Sequence, residues 1–445
     1  MHKRSTIFLI SIFLGVISYF LGGAIFLLLL FGGICYVIYR NTDAGIRDTV
    51  LRIMITGFAV RVILAVVLHA YAFTKGFHSV SGDDLLYIVK SWSLVHRWEA
   101  KPETWAQCIT SASREYGINP FTYLLASFYK IFGFHPVSGK LLNCIFGTLI
   151  GWVAYLIAEK IFDRRSAVIA LAVVVFYPSL IRWSVANLKD SLMILLFMVC
   201  IYLLIEAICS RIAAWKYVIL GFSIFFLFMF TQILYCLLAT VGLAIMVMMK
   251  LLNLFKGRAL KTAFITMVIG GFFMLVFYFV YIDTKPLIKI LYMCEETQSG
   301  ISKSDLAGYY FYQTGFMTDM NKGIINLPQL FIIMFMNIIY FLLTPFPWQM
   351  TSFDRLLALP QMFLWYAVLG LAVFGFFRLV LRSPGVAFLT AAVLILGISV
   401  NSMAEGNIGA AFRHRDVFTP LLVIMASGIM SELLRGEKIS GKGMP

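Results

Sequence analysis

The sequence predicts an all-α polytopic membrane protein with about twelve transmembrane helices, and three observations carry that expectation. Hydrophobic residues make up 61% and charged residues 13% of the 445 positions, more apolar side chain than a soluble domain of this length can bury. The apolar runs are continuous rather than alternating, so they read as helices that satisfy their own backbone groups and not as strands of a barrel. Lys and Arg recur in the connections between alternate runs, as the positive-inside bias requires.

The formal charge of +15 in such a chain reflects cations held at the cytoplasmic face. It points to membrane lipids and lipid phosphates as partners rather than nucleic acid. The seven cysteines, Cys35, Cys108, Cys144, Cys200, Cys209, Cys236 and Cys294, are scattered without CxxC or Cys/His spacing, so neither a zinc site nor a disulfide framework is indicated. Met1-His2-Lys3-Arg4 opens a long apolar run that lacks a small-residue cleavage site followed by a polar start. It is expected to be a retained anchor rather than a signal peptide.

The run 5–39 is too long for one ordinary span, and Gly22-Gly23 divides it near the middle, which predicts a hairpin of two short helices. Lys3 and Arg4 before it, and Arg40, Arg47 and Arg52 after it, place both of its ends in the cytoplasm. The next span, 51–73, carries Arg61 near its middle; an arginine at that depth either marks function or pairs with a neighbouring helix. Segment 74–138 then lies outside. Its Trp92, His96, Arg97, Trp98, Trp105 and Arg114 suit juxtamembrane helices in the interface plane. Spans follow at 139–159, 167–183 and from 187 to Cys209, with Lys160, Arg164, Arg165, Arg211 and Lys216 marking the inside. The run 217–250 allows a hairpin bent at Thr231-Gln232, and 262–281 leads to an external loop with Tyr309, Tyr310, Tyr312 and Gln313. Counting 328–343 as a full span would put Arg378 and Arg382 outside, so a re-entrant or interfacial helix is expected there. Pro345-Phe346-Pro347-Trp348-Gln349 reads as an external turn, and spans 360–377, 386–400 and 417–434 complete the chain with both termini inside.

The stretch that organises this scaffold is Ser81-Gly82-Asp83-Asp84-Leu85-Leu86-Tyr87-Ile88-Val89-Lys90-Ser91-Trp92. If it is helical from Gly82, then Asp83, Tyr87 and Ser91 share a face, with Lys90 close by. That face could hold a proton acceptor, a phenol and an ammonium together; the plain alternative is that the two carboxylates cap a helix N-terminus. Other polar clusters fall on the same external side: Arg182, then Lys189-Asp190, and Arg413-His414-Arg415. Arginine should be depleted from short outer loops. Arg413 and Arg415 are therefore candidates for a lipid phosphate, which a guanidinium matches bidentately, or for ion pairs with Glu405 or Asp416. A carboxylate beside such cations suits group transfer. The base deprotonates an acceptor hydroxyl or amine, and the cations stabilise the departing lipid phosphate. A single inverting displacement needs only one carboxylate.

On these residues the chain resembles the polytopic lipid-carrier-dependent glycosyltransferases of the GT-C fold, which include protein O-mannosyltransferases and lipid A aminoarabinose transferases. The resemblance rests on Asp83-Asp84 with Tyr87, on Asn119-Pro120-Phe121, on 124–133 and 141–165, and on Tyr177-Pro178 with Asn187-Leu188-Lys189-Asp190. It covers 51–210 well, and the later half mainly through hydropathy and Arg413-His414-Arg415. It implies a GT-C-like fold with external juxtamembrane helices. The divisions are an N-terminal membrane hairpin and cytoplasmic loop over 1–50, a core over 51–282 with its first external loop at 74–138, and an external loop with C-terminal helices over 283–445. It implies catalytic Asp83, with Asp84 second; the external polar groups Tyr87, Arg182, Lys189, Asp190, Arg413, His414 and Arg415 are the candidate substrate contacts. The donor implied is a polyprenyl-phosphate-linked sugar, and the acceptor a cell-envelope glycan, lipid or protein. The place implied is the external (periplasmic) face of a bacterial inner (plasma) membrane. Some members of the family use a divalent metal near the acidic pair and others none, so the pair does not establish one. The sequence departs from the pattern in the extra hairpin before 51 and in Thr231-Gln232, where a basic residue with proline is common.

Two other functions fit many spans with an external polar loop. A polysaccharide polymerase or O-antigen ligase would make arginine its dominant essential residue. A lipid-linked sugar flippase or transporter would place charge near the bilayer midplane, where this chain offers little besides Arg61.

Overall fold

A computed structural model describes residues 21–74, 82–100, 119–210, 213–229, 239, 241–248, 251, 327–346, 359–405 and 408–435. The described residues are helical with short connections, without a strand among them. Six of their helices are long and apolar enough to cross a membrane, or eight if each of two bent pairs counts as one span. That fits an integral membrane protein. The further spans expected at the start of the chain, past Thr231-Gln232 and at 262–281 fall wholly or partly outside the described residues, as do Trp105, Arg114, Tyr309, Tyr310, Tyr312, Gln313 and Trp348.

The chain divides into two compact units, the first from Met1–Tyr202, Ala214–Cys236 and Ser427–Pro445, the second from Leu203–Ala213 and Leu237–Ala426. In the first unit α1 (Ala24–Asn41) and α2 (Arg47–Thr74) pack on α5 (Pro136–Ile161). Leu27 and Phe31 meet Phe58, Leu141, Leu142 and Ile145 there, and the Phe31 and Phe58 rings stack at 3.9 Å. At 26 residues, α5 is about 39 Å long and exceeds an apolar core of about 30 Å.

One continuous span was expected over 167–183. The structure instead shows α6 (Arg164–Val175) and α7 (Pro178–Ser184) meeting at 55°. Proline forces the break: Pro178 lacks an N–H and drives Tyr177 into extended backbone (φ −67°, ψ 120°). The Val175 carbonyl at the end of α6 needs a donor, and Arg61 of α2 supplies one. Its Nη1 donates to Val175 O at 2.7 Å and to Gly57 O at 3.1 Å, and its Nε to Ser184 Oγ at 2.9 Å. The arginine is fully buried, and the negative end of the α6 dipole favours its charge. Of the two readings of Arg61, the structure shows helix pairing.

At one end of this unit, Arg164 pairs with Asp43 and Glu159. Asp163 there caps α6 through Ser166 N at 2.7 Å and holds Arg435 at 2.9 Å. The opposite end carries α3 (Gly82–Ala100), α4 (Pro120–Phe132) and the start of α8 (Asp190–Cys209); α9 (Ala214–Met229) follows.

The second unit contains α10 (Leu327–Leu343), α11 (Leu359–Arg382), α12 (Pro384–Ala404) and α13 (Ile408–His414). A 3-10 turn, Arg415–Val417, leads from α13 into α14 (Thr419–Leu433), which is bent by 61° from the preceding helix. At 17 residues, α10 is about 25 Å long, shorter than the roughly 30 Å of a full hydrocarbon core.

Candidate functional site

The first turn of α3 places its two carboxylates in different surroundings. Successive helical residues point about 100° apart, and the face that packs inward carries Asp84, Ile88, Ser91 and Val95, at i, i+4, i+7 and i+11. The sequence expectation of one shared face for Asp83, Tyr87 and Ser91 is therefore modified. Ser91 is buried, Tyr87 and Lys90 are half-buried, and Asp83 is exposed.

Asp84 is 2% exposed and lies 3.3 Å from the ammonium of Lys140, itself 1% exposed, on the first turns of α5. Its Oδ1 accepts the backbone N–H of Asn187 at 2.9 Å, and the Asn187 side-chain amide donates to Pro136 O at 3.2 Å. One turn beyond Lys140, Asn143 donates to Ala186 O at 2.6 Å and to Leu188 O at 2.8 Å. The stretch between α7 and α8 is thus tied to α3 and α5 by polar contacts at once. Removing one partner of a buried pair costs about 3–5 kcal/mol, because the other charge is left uncompensated. Close approach makes the arrangement feasible: a Cβ on Gly139 would collide with the Asn187 side-chain oxygen.

The neighbouring α4 is set by local chemistry. Asn119 caps it through Phe121 N at 3.1 Å, Pro120 takes the first helical position, and Gly133, at φ 81°, ends it in a region that favours glycine. Asn119 Nδ2 also donates to the Tyr87 hydroxyl at 3.3 Å, and the Tyr87 ring meets Phe121 edge-on at 5.6 Å. Lys130 lies 5.7 Å over the Trp98 ring. Burial pushes the Tyr129 phenol above its ordinary range and the negative charge of Asp84 adds to this, so it stays protonated and neutral beside the ion pair.

The other candidates fall as follows. Arg182 is exposed, with its guanidinium 5.1 Å over the Trp183 ring. Lys189 is half-buried and Asp190 is buried where α8 begins. In the second unit, His414 Nδ1 contacts the buried carboxylate of Glu405, and both His414 and Arg413 are half-buried. Arg415, an expected phosphate ligand, is 1% exposed and donates to Thr344 O at 2.6 Å, Leu342 O at 3.3 Å and Met362 Sδ at 3.0 Å. Its guanidinium stacks on Trp365 and Phe412, at 4.8 and 4.6 Å. It thereby caps the C-terminal carbonyls of α10, where a cation suits the helix dipole.

Sequence reasoning missed Lys140 and Asn143. The usable signal was an ionisable residue one turn inside the start of a long apolar helix. Among the described residues no group of three or more His, Cys, Asp and Glu could hold a metal ion, and both oxygens of Asp84 are engaged by Lys140 and Asn187.

Residues 120–282 match the model of the family described as dolichyl-phosphate-mannose-protein mannosyltransferase, which bears out the resemblance over that stretch and suggests a glycosyltransferase. No curated protein and no solved structure matches the chain. The matched stretch holds Lys140, Asn143, Arg182 and the 187–190 cluster; Asp83 and Asp84 precede it.

Proposed function

We propose that this protein transfers one sugar from a polyprenyl-phosphate-linked donor to an acceptor in the cell envelope, at the external face of the membrane, with Asp83 as general base. The observation that carries this reading is the division of labour in the acidic pair. Asp84 is buried against Lys140 of the matched stretch, while Asp83, one residue earlier, is exposed. A base must reach the proton it removes, and of the two carboxylates Asp83 is the accessible one.

In this mechanism the acceptor hydroxyl oxygen attacks the anomeric carbon as its proton passes to the Asp83 carboxylate. The bond between the anomeric carbon and the phosphate oxygen breaks, and polyprenyl phosphate leaves with the electron pair. One displacement inverts the anomeric centre. Negative charge grows on the departing phosphate, and Lys189, two residues past the Asn187 amide that holds Asp84, supplies positive charge there.

The test uses the full chain in vesicles with a panel of polyprenyl-phosphate-linked sugars, following release of polyprenyl phosphate. Asp83→Asn is expected to lower turnover by about 10²-fold or more with an unchanged size-exclusion profile, and Lys189→Gln to raise the donor KM. Undiminished turnover in Asp83→Asn would overturn the proposal.

A further inference from the structure

We infer that Lys140 is a positioning residue: by holding Asp84 it fixes the first turn of α3, and so the direction in which the Asp83 carboxylate leaves the helix. The inference rests on the reading of Asp83 as the base.

Three observations lead to it. Lys140 and Asp84 are both almost wholly buried at 3.3 Å, so salt and water do little to weaken their attraction. Asp83 and Asp84 are consecutive in a helix, about 100° apart around its axis, so an anchored Asp84 leaves Asp83 only one side from which to emerge. Asn187 then closes the arrangement, donating its backbone N–H to Asp84 and its side-chain amide to Pro136 O at the start of α5. Without Lys140, the Asp84 charge would sit uncompensated in a site 2% exposed. The first turn of α3 would relieve that by rotating Asp84 toward water, which carries Asp83 away from its place. Lys140 also neutralises the charge next to Asp83, so the base does not share its turn with a second uncompensated carboxylate. The matched stretch 120–282 does not contain the acid itself; Lys140 is the side chain through which that stretch would set it.

The test combines carboxyl labelling with kinetics on the full chain in vesicles, using a water-soluble carbodiimide and glycine ethyl ester with peptide mapping. In the native protein Asp83 is expected to label and Asp84 to resist. In Lys140→Met, Asp84 becomes labelled, and kcat falls about tenfold or more while the donor KM stays within about threefold, the signature of a misplaced catalytic group. Lys140→Arg, which keeps the charge, is expected to restore kcat to within about threefold of native. Lys140→Met/Asp84→Asn recovers part of the loss because no charge is left buried alone. The Arg and double variants keep the test open if Lys140→Met fails to fold. Equal labelling of Asp83 and Asp84 in the native protein would overturn the inference, as would native kcat in a Lys140→Met protein whose Asp84 has become reactive. Native turnover in Asp83→Asn with Asp84 still protected would instead remove the base assignment and leave the ion pair standing.

Discussion

The first unit buries a lysine against a carboxylate, whereas the second buries an arginine against helix-end carbonyls, a thioether and two aromatic rings. The difference separates two uses of buried charge. Arg415 serves the end of α10, whose carbonyls also take the Trp365 indole N–H at 2.6 Å and the Tyr366 hydroxyl at 2.7 Å. A guanidinium can fork to several oxygens and stack at the same time, as an ammonium cannot. Arg61 does comparable service at the break between α6 and α7. Lys140, by contrast, meets a single carboxylate whose neighbour in the chain is exposed. A point charge on a flexible stem suits that task, which asks for orientation of one partner rather than closure of a helix end.

Replacing Arg415 should have the largest effect on stability. Arg415→Ala leaves the Thr344 carbonyl without its guanidinium donor and opens a cavity where a fully buried side chain stacked on two rings, an expected loss of about 3–5 kcal/mol read as a lowered Tm in detergent. Arg415→Lys should recover little of it. A Tm within a degree of native for Arg415→Ala would erase the contrast between the units, since it would free this arginine for another role. An intermediate effect is expected from Gly139→Ala, whose new Cβ meets the Asn187 oxygen. Overpacking of this kind costs about 1–3 kcal/mol, and by displacing Asn187 it should also make Asp84 reactive to carbodiimide; if Asp84 stays protected, Asn187 is not needed to hold the pair. The smallest change is Asn119→Ala, which removes the α4 cap and the contact to the Tyr87 hydroxyl. About 1 kcal/mol is expected, measured as faster amide exchange in the first turn of α4, with Asp84 labelling unchanged.

The membrane character of the chain was legible because it depends on composition and run length. The α4 boundaries were also open to view, as Asn119-Pro120 and Gly133 are local start and stop signals. Pro178 should have warned of the α6–α7 break, yet hydropathy across 167–183 is unbroken, and a window that averages apolar side chains does not register a missing N–H. The acidic pair stood out as two carboxylates beside an apolar run. Which of them faces inward did not, because a one-residue rotation exchanges their surroundings and the packing of Ile88, Ser91 and Val95 decides it. The arginines of Arg413-His414-Arg415 looked alike in a loop, and nothing local marked Arg415 as the one buried against the α10 end.

By itself, then, the sequence determined that this chain builds apolar helices, where Asn, Pro and Gly begin and end several of them, and that an acidic pair and, over 120–282, a match to the dolichyl-phosphate-mannose-protein mannosyltransferase family lie along it. These follow from each residue's own solvation and backbone preference. Only the tertiary structure decided that Lys140, 56 positions after Asp84, is its partner, and that the Asn187 amide completes the site. Whether a buried charge is compensated depends on what other segments bring within about 4 Å, and no local run of residues encodes that.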